Sequence, residues 1–211
     1  MTSSIVQRSS ALLVLALAAG CEKEAQGPAP STAQPATVTS GAPAAPAAAN
    51  ASPASAGELA VGSPAPAFDL KGHTGAPLRL ASLKGRPVVL YFYPKDETPG
   101  CTTEACAFRD GFAELTKRGV VLIGVSADTD ESHRNFATSH KLPFQLVSDA
   151  KGDLSKAYGV PFNNGFISRH TIVIGPDGNI KKLYRTVNVA NHAAEILRDV
   201  EGMTPPAPPP G

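Results

Sequence analysis

The chain has 211 residues, a formal net charge of +1, 20 prolines, 42% hydrophobic residues and no tryptophan. At roughly 150 residues per domain that length allows one domain with extensions, and because every aromatic residue lies between Phe68 and Tyr184 the two ends cannot build a core. A near-neutral chain without a local Lys/Arg cluster has no electrostatic footprint for nucleic acid, and three cysteines are too few for a disulfide scaffold.

Residues 1–21 read as an export signal: Arg8 supplies positive charge, Ala11 to Ala19 an apolar stretch, and small residues precede Cys21. The stretch falls short of the roughly 20 residues a membrane-spanning helix needs. Small residues directly before a cysteine resemble the bacterial lipobox, which implies a Cys21 that is lipidated and becomes the mature N-terminus; ordinary cleavage leaving an incidental cysteine is the alternative. Residues 22–57 are mostly Ala, Pro, Ser, Thr and Gly, with only Val38 as a larger aliphatic. Such a segment buries too little to offset its ordering entropy. It is expected to be a disordered tether, spanning on the order of 35 Å as a coil and about 100 Å if stretched toward polyproline II. The expected address is the extracytoplasmic, periplasmic side of a membrane, held by the lipid. Residues 204–211, TPPAPPPG, read as a disordered tail.

Residues 58–203 carry the fold. The run from Pro87 to Tyr93 is β-branched and aromatic without helical spacing, which suits a strand buried on both faces. Gly119 to Ser126 and Phe144 to Val147 read the same way. Between them Ala105, Phe108, Phe112 and Leu115 recur at helical spacing, and a weaker helix runs from Glu131 to Leu142. Thr171 to Ile174, a turn at Pro176-Asp177-Gly178, and Ile180 to Tyr184 read as an antiparallel hairpin. A last amphipathic helix presents Val189, Ala193, Ile196, Leu197 and Val200. This β-α-β-α-β run followed by a hairpin and a helix predicts an α/β thioredoxin-like fold, a central mixed β-sheet flanked by helices.

Chemistry concentrates in YFYPKDETPGCTTEACAFRD, residues 91–110. Thr98 followed by Pro99 is an N-cap followed by a first-position proline, so Cys101 falls in the first helical turn. Orphan amides and the positive end of the helix dipole there favour a nucleophilic thiolate. Cys101 shares a face with Phe108 and Phe112, two turns on, in a partly desolvated pocket. Cys106 is five residues further along, about 140° around the helix, at a Cα separation of roughly 8.6 Å. Two cysteines beyond about 7 Å cannot bond without backbone movement, so exchange between them requires the first turns to unwind. A metal pair would need further ligands, and no histidine is near in sequence. By residue type alone Arg169 is an ordinary surface arginine. His73, His133, His140, His170 and His192 read as surface or structural residues, Asn163-Asn164-Gly165 as a turn, and Arg109-Asp110 as a helix-surface charge pair or support for the site.

The segment Pro94-Lys-Asp-Glu-Thr98-Pro-Gly-Cys101 fits P-x-x-x-T-x-x-C and resembles the peroxiredoxin signature. GCTTEACAFRD is similar to the bacterioferritin comigratory protein (PrxQ) subfamily, with its second cysteine five residues after the first. The similarity extends from Val61 through Leu90–Pro94 to Arg169–Gly178. It implies a peroxidatic Cys101 and a resolving Cys106 that closes an intramolecular disulfide. It also implies a peroxide and thiolate held by Thr98 and Arg169, a substrate pocket bounded by Pro94 and Gly100, and no prosthetic group. The implied partners are hydrogen peroxide or organic hydroperoxides and a thioredoxin-type reductant, with the chain a monomer or weak dimer. A tethered thiol-disulfide oxidoreductase for exported proteins is the competing reading. It would carry a tighter cysteine pair beside a tryptophan, and a proline where His170-Thr171 stands. A non-catalytic metallochaperone is a third.

Overall fold

The computed structural model describes residues 59–203, so the signal, the tether, Cys21 and the tail lie outside the described residues. The first elements are small: β1 (Asp69–Lys71) pairs antiparallel with β2 (Pro77–Arg79), and a 3-10 turn follows at Leu80–Leu83. Then come β3 (Val88–Phe92), α1 (Pro99–Lys117), β4 (Val121–Ser126), α2 (Asp130–His140), β5 (Gln145–Ser148) and α3 (Asp153–Ala157). A two-residue hairpin, β6 (Phe162–Asn163) with β7 (Phe166–Ile167), precedes β8 (His170–Ile174), β9 (Ile180–Tyr184) and α4 (His192–Asp199).

Five strands form one mixed sheet in the order β5-β4-β3-β8-β9. β3 runs parallel to β4, which runs parallel to β5, while β8 is antiparallel to both β3 and β9. All five residues of β3 are buried, as its unalternating apolar sequence predicts for a central strand covered on both faces. Val89, Tyr91 and Tyr93 face a core with Phe108 and Leu115 of α1, Phe136 of α2 and Ile196 of α4. Val88, Leu90 and Phe92 face the opposite core with Leu154, Tyr158, Val160, Ile167 and Phe68.

The predicted strands and the three longer helices are present within two or three residues of their expected limits. β1, β2, α3 and the β6–β7 hairpin strands come in addition. Asn164 and Gly165 have φ of 50° and 80°, which makes Asn163-Asn164-Gly165 the tight hairpin turn its composition indicated. Arg109 and Asp110 form the expected surface ion pair at 2.8 Å. His73, His133 and His192 are buried, so these three are structural and not surface residues.

Candidate active site

The register Phe92↔His170 sets the start of β8 beside the end of β3, where the chain turns through Pro94–Thr98 into α1. Arg169, the residue before β8, therefore arrives at the first turn of α1 from 68 residues away. Its Nη2 donates to Cys101 Sγ at 3.0 Å, and Cys101 is 1% exposed. Its Nη1 donates to Glu104 Oε2. The surface reading of Arg169 from residue type alone is thus overturned: its side chain is mostly buried and spans both groups on one helix face. Burial opposes the Arg169 charge, but Glu104 and Cys101 outweigh it, so the guanidinium is held more firmly charged than usual.

Glu104 was not singled out in the sequence. It lies three residues after Cys101 and one turn before Phe108, on the inward face, and its side chain is 1% exposed. That position was its signal, since a solvated glutamate belongs on the opposite face. Burial pushes its carboxyl from the ordinary 4.5 up to about 7, against the pull of Arg169. Its second oxygen, Oε1, has no hydrogen-bond partner.

Thr98 occupies the N-cap position in extended backbone, but its hydroxyl does not cap the helix and donates instead to Lys95 O at 3.0 Å. The expectation of a capping hydroxyl is therefore corrected, and the first-turn amides are left without a side-chain acceptor. Gly100 lies in that turn, its Cα facing Arg169 closely enough that a Cβ would be 3.6 Å from Nη2. Pro94 is half-buried at the mouth of the turn. Cys106 is half-buried further along the same unbroken helix, and both cysteines are free.

A second buried cluster pins the loop before α1. The Asp96 carboxylate accepts from Tyr93 Oη at 2.8 Å and Ser132 Oγ at 2.7 Å, and lies 2.9 Å from His133 Nδ1. The Asp96 amide donates to Asp128 Oδ2 at 2.9 Å. Burial pushes the Asp96 carboxyl up, but the His133, Ser132 and Tyr93 bonds prevail and hold it below the usual carboxylate range. These bonds tie the Pro94–Thr98 loop to α2, so the loop that presents Thr98 is braced from inside the fold. Among the described residues no three His, Cys, Asp or Glu side chains converge as a metal would require.

A reactive-type cysteine at a helix start, backed by a guanidinium and lined by a braced loop, can attack an electrophilic atom and stabilise the charge that moves. Comparison with known proteins agrees. Residues 61–183 match the AhpC/TSA family. The chain is 41% identical over 153 residues to peroxiredoxin Bcp of Bacillus subtilis, covering 69% of this chain and 98% of that protein. It is 43% identical over 145 residues to chloroplastic peroxiredoxin Q of Sedum lineare, covering 67% and 78%. Among solved structures, Mycobacterium tuberculosis BcpB superposes with a TM-score of 0.64 at 32% identity, covering 69% of this chain and 98% of that one. Xanthomonas campestris peroxiredoxin Q superposes at 0.60 with 35% identity, covering 64% and 89%.

Proposed function

The chain belongs to the AhpC/TSA family and is a thiol-dependent peroxidase of the peroxiredoxin type, and from that premise we propose that Cys101 is its attacking thiol and Cys106 its resolving thiol. The observation that carries the assignment is the 3.0 Å approach of Arg169 Nη2 to the buried Cys101 Sγ at the start of α1. A guanidinium keeps its charge and presents several donors, so it can hold sulfur and a peroxide oxygen together. The thiolate sulfur attacks the nearer peroxide oxygen, the S–O bond forms as the O–O bond breaks, and the departing alkoxide or hydroxide takes a proton. Cys101 is left as a sulfenic acid. The Gly100 and Cys101 amides are the further donors for the peroxide, and Thr98, whose hydroxyl proton goes to Lys95 O, offers an oxygen that accepts from the peroxide O–H. Pro94 and Gly100 bound the pocket.

Cys106 then attacks the sulfenic sulfur, an S–S bond forms, and hydroxide leaves as water on taking a proton. A thioredoxin-type dithiol returns the pair to thiols by exchange. Hydrogen peroxide and organic hydroperoxides are the substrates of this reading, and the chain works as a monomer or weak dimer. The reading extends to location: a lipid on Cys21 tethers the domain on the extracytoplasmic side. Support for this is the run of small residues before Cys21 and the Ala/Pro-rich stretch after it.

Stopped-flow consumption of hydrogen peroxide tests the division of labour. Cys101→Ser abolishes the reaction. Cys106→Ser keeps one fast oxidation, loses thioredoxin-dependent turnover and over-oxidises more readily. Equal loss of the first oxidation in both variants rejects the assignment.

A further inference from the structure

Arg169 is a single cation set between two groups that can each carry a negative charge: Nη2 donates to Cys101 Sγ at 3.0 Å, and Nη1 donates to Glu104 Oε2. Cys101 and the Glu104 side chain are each 1% exposed, so water screens neither. A thiolate and a carboxylate present together would leave an excess negative charge inside the fold, and like charges that share a site push one of the pair into its neutral form. Glu104 Oε1, which has no hydrogen-bond partner, points the same way, because a buried oxygen without a donor costs less on a neutral carboxyl than on a carboxylate. We propose that Cys101 and Glu104 share one proton across Arg169: it sits on Glu104 while the sulfur is a thiolate, and it leaves Glu104 once peroxide has consumed the sulfur's charge. Glu104 acts through Arg169 and does not touch the substrate. The inference rests on Cys101 being the attacking thiol.

Charge balances at each stage. When the thiol proton passes to the Glu104 carboxylate, the thiolate, the neutral carboxyl and the guanidinium sum to zero. The sulfur then attacks, the S–O bond forms as the O–O bond breaks, and the products are a neutral sulfenic acid and a departing hydroxide or alkoxide. Arg169 has now lost its anion. Glu104 gives up its proton and becomes that anion, and the released proton balances the one that turns the leaving oxygen into water or alcohol. The surroundings suit such an exchange. Burial raises the Glu104 carboxyl to about 7 against the pull of Arg169, so its proton moves near neutrality. Tyr91 faces the pair from β3, and burial raises its hydroxyl well above the usual range, so it stays neutral. His192 faces Glu104 from α4; burial lowers its pKa, so near neutrality the ring is uncharged. Its Nε2 lies 2.8 Å from Thr171 Oγ1 and 4.0 Å from Glu104 Oε1, too far to hydrogen-bond the carboxyl. Asp96 bears on Tyr91, and Glu195 and Asp199 bear on His192. Arg169 is the cation bonded to both partners of the exchange.

The test follows the infrared band of the protonated Glu104 carboxyl against pH in the full chain, the band being identified by its loss in Glu104→Gln or, should that variant not fold, by its displacement in Glu104→Asp. Three forms are compared: reduced Cys106→Ser, the same protein after one equivalent of hydrogen peroxide, and Cys101→Ser. The reduced form should hold the band to higher pH than the other two, with about tenfold more protonated Glu104 at a given alkaline pH for each unit of displacement. Adding the peroxide on the alkaline side of neutrality should therefore remove the band. Thiolate absorbance gives the second readout, taken as the difference from Cys101→Ser. In Glu104→Gln, which keeps an oxygen to accept from Arg169, the Cys101 thiolate should appear at no higher pH than in wild type. A band that titrates identically in all three forms overturns the exchange. So does a thiolate that needs higher pH in Glu104→Gln, the result expected if an ionised Glu104 merely supported Arg169. If peroxide leaves Cys101 unoxidised in Cys106→Ser, the assignment of the attacking thiol fails instead, and the comparison of reduced Cys106→Ser with Cys101→Ser still reads the shared proton.

Discussion

Cys101 and Cys106 stand five residues apart on one uninterrupted helix, the first buried against the sheet and the second half-buried. Helical geometry separates their Cα atoms by roughly 8.6 Å, beyond the roughly 7 Å that a disulfide spans. A bond between them therefore costs the helical turns that carry them. In the oxidised protein, amide hydrogen exchange from Gly100 to Phe108 should be markedly faster than in the reduced protein, with the amides of Leu90 and Leu122 unchanged. Equal protection in both redox states would mean that the resolving thiol comes from elsewhere.

Arg169 bridges two acceptors with two different nitrogens, which a single ammonium cannot copy. Arg169→Lys retains the positive charge and loses the fork. We expect the rate of Cys101 oxidation to fall by on the order of a hundredfold, the scale of removing one preorganised donor to developing charge, with little change in folding. A peroxide titration followed by stopped-flow fluorescence measures it, and a rate within threefold of wild type rejects the clamp.

Glu104 links stability to pH. Its carboxyl sits at about 7 in the folded protein against an ordinary 4.5, so between those values the folded state binds the extra proton. The stabilisation is complete below about pH 4.5 and is lost as pH rises through about 7, on the order of 3 kcal/mol at the upper limit. Because Glu104 lies in the turns that must unwind, alkaline conditions should also favour their opening. Urea unfolding near pH 5 and pH 8 should show wild type losing more stability with rising pH than Glu104→Gln. Parallel curves for the two proteins would refute the linkage.

The anchor is a separate question, answered by mass. The mature chain should begin at Cys21 and carry acyl groups there, and the protein should partition with membranes. Cys21→Ser should release it to the soluble fraction with peroxidase activity intact. A mature chain starting at another residue would disprove the lipid.

The sheet was legible where burial on both faces erases alternation, as in Val88–Phe92, and where apolar residues recur at helical spacing, as in Phe108 to Leu115. α3 was not, because five residues hold barely more than one turn of periodicity. It depends instead on Asp149, whose carboxylate accepts from the Leu154 and Ser155 amides at 3.1 and 2.8 Å and from Ser155 Oγ at 2.6 Å. In the site, the cysteines, Thr98 and Arg169 were found through the family resemblance, whereas Glu104, Asp96 and His133 were not. A charged or polar side chain inside the fold is visible in sequence only by its place on an apolar stripe. His192, Ile196 and Val200 follow each other at four-residue steps, and His133 stands three and four residues before Phe136 and Ala137. Those spacings held the information, but only tertiary contacts say which partner a buried polar group finds.

The antiparallel pairing of β3 with β8 also has a consequence in time. As the chain leaves the ribosome, Cys101 and Cys106 emerge well before Arg169, which is 68 residues behind its sulfur partner. The helix that carries both thiols can form from local sequence, but no guanidinium reaches Sγ until β8 has docked against the central strand. Assembly of the sulfur's surroundings thus waits on a late strand: a chain arrested before β8 holds both thiols and none of the clamp.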